Sequence, residues 1–326
     1  MAHGDFELQI GKQASFGTAV TPTAVLWGVR DAKLKPARPV QAFRAPRNNA
    51  PVAAHKAKSI SADGSSLEGE ATYEQLPYLL SMLLGSVTPT GTDPYTYEWE
   101  AAAVGKVPSP YIATLRWASD DGGAELTGGV LKSLQFTWAK GEPLVYSGDL
   151  LGYDVAAVAA RESLAQPAAI TPIMCNEFTL YLDAFGTYGT TALAAALNAA
   201  TLNISPRRAV RHHVTSLYPS GYTEGGDNEG WDVTLQLKLE ITTAVRSLFE
   251  DVLDAEHGFE CGVRLQAVDG DNKLTFDMPA VALDPAQVYE WDDGVESWDL
   301  DLTAAYDSVL GSFLRVEVVN DVAALA

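Results

Sequence analysis

Several short stretches of the chain alternate apolar and polar residues, which is the pattern of half-buried β-strands. The clearest is VTLQLKLEI, Val233–Ile241, in which every second residue is apolar. The stretch LEGEATY, Leu67–Tyr73, shows a weaker form of the same pattern. Successive side chains of a strand point to opposite faces of a sheet, so both stretches predict strands with one buried face.

Each of these two strands is followed by apolar residues at helical spacing, which predicts one amphipathic helix in each half of the chain. Thr242 or Thr243 is suited to cap the start of the second helix. Gly85 and Gly258 stand where the helices would end. The predicted core stripes are Leu76, Leu79, Leu80 and Leu83 in the first helix and Val245, Leu248, Phe249 and Val252 in the second.

The two halves of the chain show matching features in the same order, which predicts an internal duplication. Phe16-Gly17-Thr18 matches Tyr188-Gly189-Thr190, and KLKPAR at Lys33 matches NISPRR at Asn203. The strand–helix units follow, then strands around acidic turns, then a strand ending in Tyr153-Asp154 or Tyr306-Asp307. The first half also contains a strand-like piece, Pro94–Ala101, without a counterpart in the second. We therefore expect domains at 1–155 and 174–326, joined by a linker at 156–173.

A half that consists of strands and a single helix cannot cover both faces of a sheet with helices. The expected fold is therefore mainly β: a β-sandwich or barrel with one flanking α-helix, present as two tandem similar domains.

Charge is unevenly distributed along the chain. The net charge is −20, and such a field repels the phosphates of nucleic acid. Yet two segments, 30–58 and 207–211, hold eleven of the 22 basic residues. They are either solvated loops or arms that meet an acidic surface. The residues that we expect to make such contacts are Arg38, Arg44, Arg47, Lys56, Lys58, Arg207, Arg208 and Arg211.

The sequence contains no recognisable motif of an enzyme active site or a metal site. The five histidines fit no zinc pattern, and no nucleophile motif of the form G-x-S-x-G is present. DGDNK, Asp269–Lys273, lacks the later ligands of a calcium loop and favours a tight turn. We expect no enzyme activity, no cofactor and no metal. We also expect no membrane span, no signal peptide and a reducing compartment for the two cysteines.

Five segments in order resemble the major tail tube proteins of long-tailed, siphovirus-type bacteriophages. They are KQASFGTAVTPT, GEATYEQLPYLLSMLLGS, PYTYEW, LTGGVLKSLQFTW and GEPLVYSGDLLGYD, and they span most of the first half. The resemblance implies a structural virion protein whose domains close rings of six that stack into a flexible, non-contractile tube for DNA ejection. A chain with two such domains would form a homotrimeric ring with pseudo-sixfold symmetry.

The resemblance also implies partners and surfaces. The tube would enclose the tape-measure protein and the phage genome without reading its sequence, would meet other tail proteins at its ends, and would assemble in the host cytoplasm. The basic arms would reach the neighbouring ring. Acids that alternate with apolar residues would line the channel or, equally, form a solvated outer face: Glu68, Glu70, Asp299 and Asp301.

Two other functions fit the same observations. One is a tail component that forms a single ring, such as a terminator or baseplate protein, or a secretion-tube protein of similar fold. The other is a two-domain β-sandwich binding module, such as an adhesin, for which the seven Trp and thirteen Tyr would suit a binding surface.

Overall fold

A computed structural model describes residues 6–43, 54–101, 110–167, 170–193, 196–224, 230–254, 258–282, 289–292 and 295–325. Strands make up 57% of the structure and helices 7%, so the expected mainly β class is confirmed. The strands of the first half are β1 (Glu7–Lys12), β2 (Ala24–Leu26), β3 (Val29–Lys33), β4 (Val40–Phe43), β5 (Ala54–Ala57), β6 (Ser65–Glu70), β7 (Thr90–Gly91), β8 (Tyr95–Ala101), β9 (Ala113–Ser119), β10 (Gly122–Ala139), β11 (Val145–Leu151) and β12 (Asp154–Val158).

The second half begins with a short 3₁₀ turn, Cys175–Glu177, and continues with further strands. These are β13 (Phe178–Ala184), β14 (Leu197–Ser205), β15 (Ala209–His212), β16 (Pro219–Thr223), β17 (Asp232–Glu240), β18 (Phe259–Asp269), β19 (Asn272–Ala282), β20 (Tyr289–Asp292), β21 (Val295–Ala304) and β22 (Leu314–Asn320). The two α-helices are α1 (Leu76–Leu84) and α2 (Thr243–Asp254).

One antiparallel sheet, which we call the long sheet, runs through both halves. Its strand order is β3, β6, β11, β10, β14, β17, β21 and β20. The two halves meet where the end of β10 pairs with β14, from Leu134 opposite Ile204 to Ala139 opposite Ala199. Within the described ranges, β3 and β20 pair on one side only, so the sheet has an open edge along each of these strands. The rest of the outer side of β21 pairs with β19, at Thr303 and Ala304.

Two further sheets complete the halves. The first short sheet has the order β2, β1, β9, β10, β12, and the second has the order β13, β18, β19, β22, β8, β7. The strand predicted at Pro94–Ala101 forms as β8, but it pairs with β22 of the second half, with Trp99 opposite Val316. The piece that looked like an addition to the first half therefore completes the sheet of the second.

The halves share details of hydrogen-bonded register. In the first half, Arg30 is an extra residue between the Val29–Gly69 and Asp31–Glu68 pairs of β3 and β6. In the second, Asn198 is an extra residue at the corresponding point between β14 and β17. A bulge marks a particular backbone path, so the same bulge at matching points is a detailed similarity between the two halves. Gly17 and Gly189, in the matching Gly-Thr segments, also share positive φ angles of 84° and 79°.

The two helices differ in burial. All nine residues of α1 are buried, including the predicted stripe Leu76, Leu79, Leu80 and Leu83. The prediction of an amphipathic helix is therefore wrong for α1, which is enclosed on all sides. In α2, Val245 is buried and Leu248 half-buried, with exposed residues between them, as a flanking helix requires. The side chains of Phe249 and Val252 lie outside the described residues. The Thr242 hydroxyl accepts a hydrogen bond from the Val245 N–H at 3.3 Å, which confirms this predicted cap.

The closing strand predicted over Val145–Asp154 is in fact two strands, β11 and β12, because the chain turns at Gly152 and Tyr153 to pass from the long sheet to the first short sheet. Strand β12 extends to Val158, within the segment 156–173 that was predicted as a linker. That segment is held by ion pairs from Arg161 to Glu7 at 3.0 Å and from Arg116 to Glu162 at 2.6 Å. The buried apolar side chains form one core cluster that includes residues of both halves.

Candidate functional surfaces

The four acids proposed from the sequence lie on one face of the long sheet. Glu68 and Glu70 alternate with the buried Leu67 and Gly69 on β6, and Asp299 and Asp301 alternate with buried residues on β21. The apolar partners on β21 are Trp298, Leu300 and Leu302, which are at most 2% exposed. The registers between the strands carry this face from one half to the other without interruption.

Cross-strand rows of side chains show that this face is mostly polar. One row contains Asp31, Glu68, Ser147, Gln135, Asn203, Thr234 and Thr303, each opposite the next. The next row contains Glu70, Val145, Thr137, Thr201, Gln236 and Asp301. A strand with one polar and one apolar face indicates a sheet with solvent on one side and core on the other.

Acids outnumber bases on this face. Asp31 and Asp149 join the four predicted acids, whereas the strands of the long sheet carry three lysines, Lys33, Lys132 and Lys238. Arg30, at the bulge, lies 2.5 Å from the Glu70 carboxylate, and this hydrogen bond raises the pKa of Arg30. Sequence reasoning missed Asp31 and Asp149, although the alternation of SGDLL around Asp149 is visible in the sequence.

The predicted basic loops are two β-hairpins, which we call the arms. The first arm is β4–β5, and the second is β15–β16 with its connecting turn. Lys56 and Lys58 are exposed on the first arm, and Arg211 is exposed on the second. Arg44 and Arg47 lie outside the described residues. Exposed apolar side chains accompany the charges: Val40 and Phe43 on the first arm, Val214 and Leu217 on the second.

The arms lie beside each other at their bases. The N–H of Ile60 donates to the carbonyl oxygen of Leu217 at 2.8 Å. Tyr218, in the second arm, stacks on Tyr153 of the first half with ring centroids 4.9 Å apart. Both arms therefore leave the body of the protein from neighbouring positions, where exposed bases and apolar side chains are concentrated.

Arg208 departs from the prediction for the basic loops, because it is buried inside the chain. Arg208 is only 1% exposed. Its guanidinium donates to the carbonyl oxygens of Met82 at 2.8 Å, Leu83 at 2.6 Å and Leu131 at 2.7 Å, and to Glu224 at 2.8 Å. Nothing in the sequence separates it from the exposed Arg207 beside it.

This arginine satisfies the end of α1. The last carbonyls of a helix have no partner within it, and the helix dipole makes that end negative. Burial lowers the pKa of Arg208, but arginine keeps its charge in proteins, and four acceptors surround it. The residue is therefore a structural contact between the halves.

Other chemistry is sparse in the described part of the chain. No group of three His, Cys, Asp or Glu side chains there could hold a metal ion. Cys175 and Cys261 are free thiols, and burial raises the pKa of Cys261 to about 12, so this thiol is not a reactive nucleophile. Neither α1 nor α2, as described, is long and apolar enough to cross a bilayer.

Comparison with known proteins adds one match. A family model described as phage tail tube protein matches residues 7–307. The match includes the long sheet with its acidic face, both arms and both helices. No curated protein matches the chain.

Proposed function

Since the chain belongs to the phage tail tube protein family, we propose that it closes into rings that stack as a tube and conduct the phage genome. The protein is a structural component of the virion tail, and the proposal assigns it no catalytic role. Its partners in this proposal are further copies of itself, the tape-measure protein and DNA inside the tube, and other tail proteins at the tube ends.

The long sheet is the observation that carries the proposal. It crosses both halves with one polar face and ends in open edges at β3 and β20 within the described ranges. Open edges favour pairing with another chain, and a closed ring removes them. Within the chain, β10 of the first half pairs with β14 of the second. By analogy, β20 of one protomer would pair with β3 of the next protomer.

The repeated registers support three chains per ring. The shared bulges at Arg30 and Asn198, the paired arms and the matching Gly-Thr segments are what a duplicated tube domain would give. We propose domains at 1–155 and 174–326, with 156–173 between them. Three chains then contribute six domains, and the ring is a homotrimer with pseudo-sixfold symmetry.

The acidic face fits the inner wall of such a ring. Duplex DNA carries one negative charge per ~1.7 Å of its axis, so a wall with Glu68, Glu70, Asp299 and Asp301 would repel it and prevent it from sticking. The arms fit contacts between stacked rings, because head-to-tail stacking needs complementary surfaces and the rest of the protein is acidic. Arg38, Arg44, Arg47, Lys56, Lys58, Arg207 and Arg211 are the basic residues in or beside the arms.

Electron microscopy of the purified protein over a concentration series tests the proposal. Rings, then tubes with a central channel, are the expected result, and mass measurement of a ring distinguishes three chains from six. Rings that never extend would instead indicate a terminator or baseplate component. A protein that stays monomeric at every concentration, with or without tail extracts, would overturn the proposal.

The arms have their own test within this proposal. The variant Lys56→Glu/Lys58→Glu should form rings but not tubes, because the reversed charges repel the acidic neighbouring ring. Lys12→Glu, an exposed lysine on β1 away from the arms, is the control and should form tubes. Tubes of normal length from the arm variant would contradict an inter-ring role.

A further inference from the structure

Arg208 joins the two halves of one chain. The repeat places a second arginine, Arg38, at a similar point of the first half, where it makes no such contact within the chain. The residue lies directly before the second arm and reaches across to the end of α1 in the first half. In the first half, Arg38 stands in a similar place, with Pro39 between it and β4. Pro36-Ala37-Arg38 precedes β4 as Pro206-Arg207-Arg208 precedes β15.

The strands that lead to these two arginines are equivalent in register. Strand β3 pairs with β6 around the Arg30 bulge, and β14 pairs with β17 around the Asn198 bulge. After each of these strands, the chain leaves the long sheet and enters an arm. Arg38 lies eight residues after the Arg30 bulge and Arg208 lies ten residues after the Asn198 bulge, so both arginines stand between the long sheet and the arm that follows it. The contact of Arg208 is therefore a guide to the contact that Arg38 could make.

Within a single chain, Arg38 cannot repeat the contact of Arg208. The second half lies beside the open side of β10, whereas β3 is at the other end of the long sheet, where no strand follows in the described ranges. The side chain of Arg38 is 51% exposed and donates to Asp154 at 3.2 Å. The side chain of Arg208, by contrast, is fully buried.

The C-terminal end of α2 corresponds in the second half to the end of α1 that Arg208 binds. Its last turn contains no basic residue, and the exposed Glu250 and Asp251 add negative charge near an end that the helix dipole already makes negative. The corresponding part of α1, YLLSMLL, contains no acid, and Arg208 nevertheless binds there. A cation supplied from outside the chain would therefore suit α2 at least as well.

We propose that Arg38 of one protomer binds the C-terminal end of α2 in the neighbouring protomer, as Arg208 binds the end of α1 within the chain. This inference rests on the proposed ring, since only a second copy of the chain places α2 beside the open edge of β3. In the free protomer Asp154 holds Arg38, and ring closure exchanges that partner for the carbonyl oxygens of α2.

The test compares Arg38→Ala with Arg208→Ala in the full-length protein, by thermal unfolding of the dilute protomer and by ring formation over a concentration series. Arg208→Ala should lower the unfolding temperature of the protomer. Arg38→Ala should leave it unchanged and raise the concentration needed for half-maximal ring formation by about tenfold, the equivalent of ~1.4 kcal/mol. Asp154→Asn is the control for the lost in-chain pair, and it should form rings at least as readily as the wild type.

A charge exchange tests the partner. Arg38→Glu should assemble worse than Arg38→Ala, and adding Glu250→Arg/Asp251→Arg should restore part of its assembly. Arg38→Ala that forms rings at wild-type concentrations, or that destabilises the protomer as much as Arg208→Ala does, would overturn the contact and leave the ring proposal intact. A wild-type protein that forms no rings would overturn both.

Discussion

The guanidinium Nη1 of Arg208 lies 2.8 Å from the carbonyl oxygen of Met82, although the two residues belong to different halves of the chain. The hydrogen bond connects the loop before the second arm to the last turn of the buried helix α1. With the pairing of β10 and β14 and that of β8 and β22, it makes the two halves one folded body. Two halves with similar sequence patterns therefore need not be independent folding units.

Replacing Arg208 with alanine should lower the free energy of unfolding by about 3 kcal/mol, because several buried acceptors lose their donor together. Urea unfolding followed by tryptophan fluorescence measures the change. Arg207→Ala is the control: its ion pair with Asp232, at 3.6 Å, is exposed, and its loss should cost less than about 1 kcal/mol. Equal losses in the two variants would contradict the structural role of Arg208.

Trp99→Ala should destabilise the whole chain in a single transition, although Trp99 belongs to the first half. The indole is 2% exposed on β8 opposite Val316, and its Nε1 donates to the Gly85 carbonyl oxygen at 2.9 Å. Loss of a buried tryptophan costs about 3–5 kcal/mol.

Calorimetry checks the cooperativity of the Trp99→Ala protein, through the ratio of calorimetric to van't Hoff enthalpy. One shifted transition is the expected outcome. Two separated transitions, with only the earlier one shifted, would show that the halves unfold independently.

Local sequence patterns predicted most of the elements but not their partners. The alternation in Val233–Ile241 and the apolar spacing before Gly85 and Gly258 correctly predicted β17 and the two helices, because these patterns reflect burial of neighbouring residues. That α1 is enclosed on all sides was not predictable from its stripe. The enclosure comes from strands far away in the sequence, including β8 and β10.

The site residues show the same limit. Alternation within single strands predicts Glu68 and Asp301 as outward-facing acids, and only the cross-strand registers show that they share a face. Arg208 was grouped with the exposed bases because composition cannot distinguish a solvated arginine from one enclosed by carbonyl oxygens. The pairing of β8 with β22 joins residues more than two hundred positions apart, which no local pattern encodes.

The Gly-Thr segment of the second half should make stability depend on pH through Asp183. Its carboxylate accepts hydrogen bonds from the Thr190 N–H at 2.9 Å, the Thr191 N–H at 2.7 Å and the Thr190 hydroxyl. Burial alone would raise the pKa of Asp183, but these hydrogen bonds outweigh it and lower the pKa below the ordinary value.

A carboxylate with a lowered pKa in the folded state stabilises the protein above the unfolded pKa of about 4, and this contribution disappears as the pH falls through the folded pKa. Asp183→Asn should therefore cost about 1–2 kcal/mol at pH 7 and progressively less below pH 4. Urea unfolding of both proteins from pH 7 to pH 3 measures the difference. A difference that stays constant over this range would contradict the role of the Asp183 charge.

The acidic face of the long sheet should determine whether assembled tubes retain DNA. Asp299→Lys/Asp301→Lys places two lysines per chain on that face, and each new phosphate contact should steepen the fall of log affinity with log salt by roughly 0.9. Tubes of this variant, assembled with short duplex DNA, should protect it from nuclease at low salt and release it as salt rises, whereas wild-type tubes should protect none.

Glu260→Lys/Asp269→Lys makes the same change of charge at exposed positions of the second short sheet and is the matched control. Protection by the control tubes and not by the variant would place the second short sheet, and not the acidic face, against the channel.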